Sequence, residues 1–299
     1  MSRVLISGLV NTETTVRVRQ FPINYYPIDY PFFGVGTAVS GVAYNIALAM
    51  KTLGDDVGLA SMTGSDFPAE YIRSELKKAD ISVDLVREKL SQTPSSVVLY
   101  DETGRRQIYC DLKDIQETDY DFSREMLDGV DLVVACNINF NRPLLSLAKE
   151  MGKKIATDVH VLGNAYDDYN RDFMACADIL FLSDEAAGEN PYDLIAALEH
   201  VYRTPIIVMG RGSKGALMYL RDEDRFHELP AVHVGDVVNT VGAGDALFSA
   251  FNHYYAKGYE PVEALKRAQI FASAKIGTSG ASKGFISEQE IESLYHRVY

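Results

Sequence analysis

The sequence predicts an α/β fold, with a mostly parallel sheet covered on both faces by helices. Short apolar runs at residues 4–7, 57–60, 132–135, 154–157, 179–182 and 206–209 read as buried strands. Amphipathic stretches at 41–51, 69–77, 143–151 and 191–202 lie between them and read as helices. Strands alternating with helices at this spacing imply βαβ units. Such units cover both sheet faces and place ligands at the carboxyl ends of the strands.

Taken in order, MSRVLISGLV lacks the long apolar core of a secretory leader and reads as the first strand. Residues 14–33 alternate early, at Val16 and Val18, then run into INYYPIDYPFF, too rich in proline and tyrosine for a helix. Residues 93–111 read as a hairpin around the turn Asp101-Glu102-Thr103-Gly104. Both segments are expected to form a small β-strand lid outside the main sheet, within a single domain spanning 1–299. An alternating stretch at 231–238 leads into Asn239-Thr240-Val241-Gly242-Ala243-Gly244-Asp245. Helical apolar spacing runs from Ala246 and stops at Gly258. Pro261 opens a further helix that closes around Gly277 to Gly280.

The chain has 299 residues, 47% of them hydrophobic and 24% charged, with a formal net charge of -13. That acidity argues against nucleic acid and anionic membranes as partners, because there is no basic face to displace counterions from phosphate. An anionic ligand would have to be held by backbone N–H groups and a metal. No apolar run approaches the ~20 residues that span a bilayer. Cys110, Cys136 and Cys176 are widely spaced and show no CxxC pairing. They read as small apolar residues in a reducing compartment, and a cytoplasmic location is expected.

The clearest chemistry lies in Gly242-Ala243-Gly244-Asp245. A small-residue loop entering a helix leaves N–H groups at the positive end of the helix dipole, where an anion can approach the backbone. Taken alone, the same four residues also read as a turn with Asp245 as a cap.

Residues 239–245, followed by small residues at Ser249 and Ala250, resemble the C-terminal signature of the ribokinase-like (phosphofructokinase B type) carbohydrate kinases. Asn252 stands where that pattern has an apolar residue. Ser40-Gly41-Val42-Ala43-Tyr44-Asn45-Ile46-Ala47 resembles the family's N-terminal signature, a Gly-Gly loop followed by Asn on a helix, with Ser40 replacing the first glycine. Gly54 and Gly64-Ser65-Asp66 follow at the family's distances. Gly8-Leu9-Val10-Asn11-Thr12-Glu13 is similar to the first strand and its substrate-binding Asn-x-Asp, with Glu13 in place of Asp. Met209-Gly210-Arg211-Gly212-Ser213-Lys214-Gly215 is similar to the nucleotide loop, with Gly212 and Gly215 as its paired glycines. This stretch also fits GxGxxG, but a dinucleotide fingerprint needs a helix next, and ALMYL reads as a strand. There is no GxxxxGK[ST], which excludes a P-loop kinase.

Two departures bear on metals. The family's Asn-x-x-Glu is replaced by Ser183-Asp184-Glu185-Ala186, leaving Glu185 or Glu189 as the carboxylate for Mg²⁺. Ser183 reads equally well as an N-cap. Asn239 stands where many members carry an Asp tied to a monovalent cation, so the resemblance leaves that cation open.

The resemblance spans nearly the whole chain and implies a ribokinase-like three-layer α/β/α sandwich with a β-strand lid. It implies an ATP-dependent carbohydrate kinase using ATP and Mg²⁺, with Asp245 as general base and Gly242, Ala243 and Gly244 as anion hole. Asn11, Glu13, Gly41 and Asn45 would hold the sugar. Ser183, Gly210, Gly212, Lys214, Gly215 and Gly244 would hold the nucleotide, and Glu185 the metal. The cluster Tyr25, Tyr26, Tyr30, Phe32 and Phe33 would pack the lid of a homodimer, or else stack on a nucleoside base. The competing readings are a nucleoside kinase on the same scaffold and a catalytically weak sugar or nucleotide sensor.

Overall fold

Each apolar run of the sequence becomes a strand whose alternate side chains are buried on opposite faces of one sheet, as a doubly covered parallel sheet requires. The computed structural model describes residues 2–278 and 280–299. In chain order the first elements are β1 (Arg3–Ser7), β2 (Asn11–Arg17), β3 (Val35–Ser40), α1 (Val42–Thr52), β4 (Asp56–Thr63), α2 (Phe67–Lys78) and β5 (Val86–Glu88). Then come β6 (Ser95–Tyr100), β7 (Arg106–Asp111), β8 (Leu132–Ala135), α3 (Arg142–Glu150), β9 (Lys154–Val161), α4 (Arg171–Cys176) and β10 (Ile179–Ser183). The last are α5 (Pro191–Tyr202), β11 (Ile206–Gly210), β12 (Ala216–Leu220), β13 (Arg225–Leu229), α6 (Ala243–Ala256), α7 (Pro261–Lys275) and α8 (Glu288–Val298).

The main sheet has nine strands in the order β13-β12-β11-β10-β9-β8-β1-β4-β5. All neighbours pair in parallel except the last hairpins, β11 with β12 and β12 with β13. The reason is length. A one-turn 3₁₀ segment at Gly212–Lys214 joins β11 to β12, too short for a parallel crossover. Val4 and Ile6 face a core that α1, α6 and α7 complete, while Leu5 faces one built with α3 and α5. In the first core Phe181 of β10 packs against Phe248 and Phe251 of α6, with ring centroids 5.0 and 5.2 Å apart. That contact seats α6 at the end of the sheet where the candidate chemistry lies.

The lid is a separate four-stranded sheet in the order β3-β2-β6-β7. Its hairpin, β6 with β7, falls within the expected 93–111. The first lid segment differs from the expected 14–33: its strands are β2, starting at Asn11, and β3, from Val35. Between them Pro22, Pro27 and Pro31 lack the N–H that a ladder needs, so pairing stops and resumes beyond them. Residues 231–238 alternate in sequence yet form no strand. The described part of the chain has no helix long and apolar enough to cross a membrane. Cys110, Cys136 and Cys176 are all free.

Phe181→Ala is expected to destabilise the protein by about 3–5 kcal/mol, the usual cost of truncating a packed core phenylalanine. Urea unfolding followed by circular dichroism measures it.

Candidate active site

Gly242 is the N-cap of α6 and has a positive φ of 78°. A Cβ at that position would stand 2.6 Å from the carbonyl oxygen of Ala281, so a glycine is required on both counts. The expected anion hole is only partly free. Ala243 spends its N–H on the Thr240 carbonyl at 3.2 Å, closing the turn. The N–H groups of Gly242, Gly244 and Asp245 have no acceptor among the described residues. Gly244 is exposed with open space before its Cα. Unpaired donors at a helix N-terminus are a site for an anion. Of the loop amides, those of Gly242, Gly244 and Asp245 are therefore the ones left for a ligand.

Asp245 is the third residue of α6, and its carboxylate receives a bond from across the molecule. Asn45 Nδ2, on α1, donates to Asp245 Oδ2 at 2.8 Å. Gly41 caps α1 at a φ of 108°, and a Cβ there would collide with the Leu9 carbonyl oxygen, so the start of that helix needs a glycine. Burial pushes the Asp245 carboxyl above the usual aspartate range. The Asn45 bond works against the rise, as do the charges of His160 and Lys275, while Asp158 adds to it.

The lid side supplies polar groups. Asn11 opens β2 and its Nδ2 donates to Ser96 Oγ at 3.1 Å. Glu13 accepts from Ser40 Oγ at 3.3 Å. Burial raises the Glu13 carboxyl, against the Ser40 bond and the charge of Arg106. Two acceptors are left over: Oδ1 of Asn11 and Oδ1 of Asn45 are buried without a partner among the described residues. Buried acceptors are normally satisfied, so each calls for a donor beyond the described residues, such as a ligand hydroxyl. Asn45, expected on the substrate, thus donates to Asp245 with its Nδ2, while its Oδ1 has no partner among the described residues.

The expected nucleotide residues lie at the carboxyl ends of β10 and β11. Ser183 pairs with Gly210 in register. Ser183 caps a 3₁₀ turn at Asp184–Ala186, accepting from the Glu185 N–H at 3.3 Å. Gly212 and Lys214 lie in the neighbouring turn, and the Gly215 N–H closes it onto the Gly212 carbonyl. Lys214 Nζ is 4.0 Å from Asp184 Oδ2, linking the two turns. Glu185 is exposed, and among the described residues no group of three His, Cys, Asp or Glu gathers to hold a metal. Mg²⁺ commonly takes one or two carboxylates with phosphate oxygens and water, so Asp184 and Glu185 fit an ion that arrives on a nucleotide.

Sequence reasoning missed Asp158, His160 and Lys275. Asp158 and His160 lie near the carboxyl end of β9, where ligands of such sheets gather, and that position was the available signal. Lys275 in the last turn of α7 looks like an ordinary surface lysine until α7 is packed. A cleft of about 520 Å³ opens at the opposite, amino end of the sheet, lined by Asp131, Lys154 and Tyr255. It contains none of the candidate groups, which lie at the other end.

The fold and this end of the sheet define a class, and comparison with known proteins agrees. Residues 4–288 match the model of the pfkB family carbohydrate kinases. The chain belongs to that family. The fructosamine kinase FrlD of Bacillus subtilis (strain 168) is 26% identical over 271 residues, covering 87% of this chain and 89% of that one. A cytidine kinase of Thermococcus kodakarensis is 28% identical over 240 residues, covering 76% and 82%. The structure of the microbiome-derived acarbose kinase Mak1 superposes with a TM-score of 0.89 at 25% identity, covering 99% and 100%.

Asn45→Ala removes a bond that favours the ionised Asp245, so the Asp245 pKa must rise further. If ionised Asp245 is needed for turnover, the acid limb of kcat/KM against pH moves to higher pH in this variant. A steady-state pH profile of both proteins checks the direction.

Proposed function

We propose that this kinase transfers the γ-phosphoryl group of ATP to a hydroxyl of a small sugar or sugar-like substrate. The observation that carries the reading is Asp245, held by Asn45 beside unpaired helix N-terminal amides. Phosphoryl transfer needs positioning and charge stabilisation more than covalent help. Asp245 accepts the proton of the attacking hydroxyl as the O–P bond forms and the bond to ADP breaks. The N–H groups of Gly244 and Asp245 meet the charge on the phosphoryl oxygens, and each such donor is worth about 3–4 kcal/mol of barrier. Lys214, Ser183 and the turn at Gly212 hold the triphosphate. Mg²⁺, when bound with ATP through Asp184 or Glu185, neutralises phosphate charge.

Asn11, Glu13 and Asn45 receive the acceptor. Their buried oxygens suit hydroxyl donors, which supports a polyhydroxylated substrate. The names of the acarbose and fructosamine kinases point the same way. The similarity to a cytidine kinase keeps a nucleoside as the second reading. The lid loop exposes Tyr25, Tyr30, Phe32 and Phe33, an apolar set that suits a second copy of the chain.

Incubation with MgATP and a panel of sugars, phosphosugars and nucleosides, following ADP, tests the reading. Asp245→Asn is expected to lower kcat by roughly 10²–10⁴, the usual contribution of a general base. Ligand-induced thermal stabilisation without ADP release would instead favour a sensor. Light scattering after gel filtration is expected to give a dimer, converted to monomer by the double change Phe32→Asp and Phe33→Asp. A wild-type monomer would sink the lid contact.

A further inference from the structure

Helix α7 ends on a lysine that the fold hides from water. Lys275 is 0% exposed. A charge taken out of water is costly unless it is compensated, so a lysine buried to this depth calls for a reason. Its hydrogen bond among the described residues goes to the carbonyl oxygen of Val241, not to a carboxylate. Val241 directly precedes the Gly242 cap. The ammonium therefore grips the loop three residues before Gly244, the first of the amides assigned to the phosphoryl oxygens.

The rest of the loop is fastened to the same helix end. The N–H groups of Val238 and Asn239 both donate to the Ile276 carbonyl, at 2.8 and 3.0 Å. Asn239 Oδ1 accepts from the Val241 N–H at 2.8 Å and so is spent inside the loop. The carboxyl end of α7 is also the end of a helix that favours a cation. Burial pulls the Lys275 ammonium below the usual lysine range, and the charge of Asp245 opposes that fall. Lys275, together with His160 and against Asp158, works to keep Asp245 ionised.

We infer that Lys275 is the loop's resident monovalent cation, holding the Val241 carbonyl and the amides of residues 242–245 in place, so that turnover needs no potassium from solution. Lys275 is thus a positioning residue that acts through Val241 and Asp245. The inference rests on the reading of this loop as the phosphoryl-transfer site.

The first test is wild-type turnover with MgATP in potassium, sodium and tetramethylammonium chloride at equal ionic strength. Equal rates are expected, and a requirement for potassium overturns the inference. The second is Lys275→Ala, checked for folding by its melting curve. Its kcat is expected to fall about 10²-fold, as for a small misplacement of reacting groups, with KM for ATP little changed. Added ammonium or propylammonium chloride should restore part of kcat, and tetramethylammonium should not. A variant with wild-type kcat, or a loss that no ammonium ion restores, overturns the inference. If Lys275→Ala does not fold, the wild-type salt series decides alone. Turnover that survives in Asp245→Asn counts instead against the loop as the catalytic site.

Discussion

The bond from Asn45 to Asp245 joins side chains 200 residues apart, and the candidate site depends on it. Asn45 belongs to α1, which starts where the lid strand β3 ends, and Asp245 to α6, on which the last core aromatics pack. For these two atoms to meet, β1 and β4 must carry α1 to the same face of the sheet as α6. The two helices share one hydrophobic core with β1, β4 and β10, so the contact is a consequence of packing that extends across the molecule. Dense cores transmit small shifts, which makes distant packing residues relevant to the geometry of Asp245.

A second constraint is charge. The protein carries a net charge of -13, yet the reaction of its family concentrates further negative charge at one place. Surface potential gives no help there. The groups placed to compensate it are local: amides at the head of α6, Lys214 between two turns, and the ammonium of Lys275 beneath the loop. Fixed donors in a partly dry site are worth more than the same groups in water, and they need no reorganisation when charge develops.

Much of this could be read before any coordinates. The strands at 132–135 and 206–209, the hairpin at 93–111 and the cap before Asp245 all follow from local patterns: apolar runs, alternation and turn residues. The lid strand β3 did not follow, because VGTAVS is short and comes after a proline-rich loop that hides it. That the Ala243 N–H is spent on Thr240 did not follow either, because a small-residue loop shows which amides exist, not which are already bonded. Asn45 was assigned to the substrate, since no sequence pattern reveals a partner on another helix.

The sequence by itself determined the layered α/β class, the family, and the residue types at the candidate phosphoryl site. These rest on periodicity and motif, which are properties of neighbouring residues. The tertiary structure alone decided that Asn45 holds Asp245, that Oδ1 of Asn11 and of Asn45 are left wanting donors, and that Lys275 is buried beneath the loop. Each of these joins segments far apart in the chain, and burial and bonding across such distances are settled only when the sheet and its two helical layers close on one another.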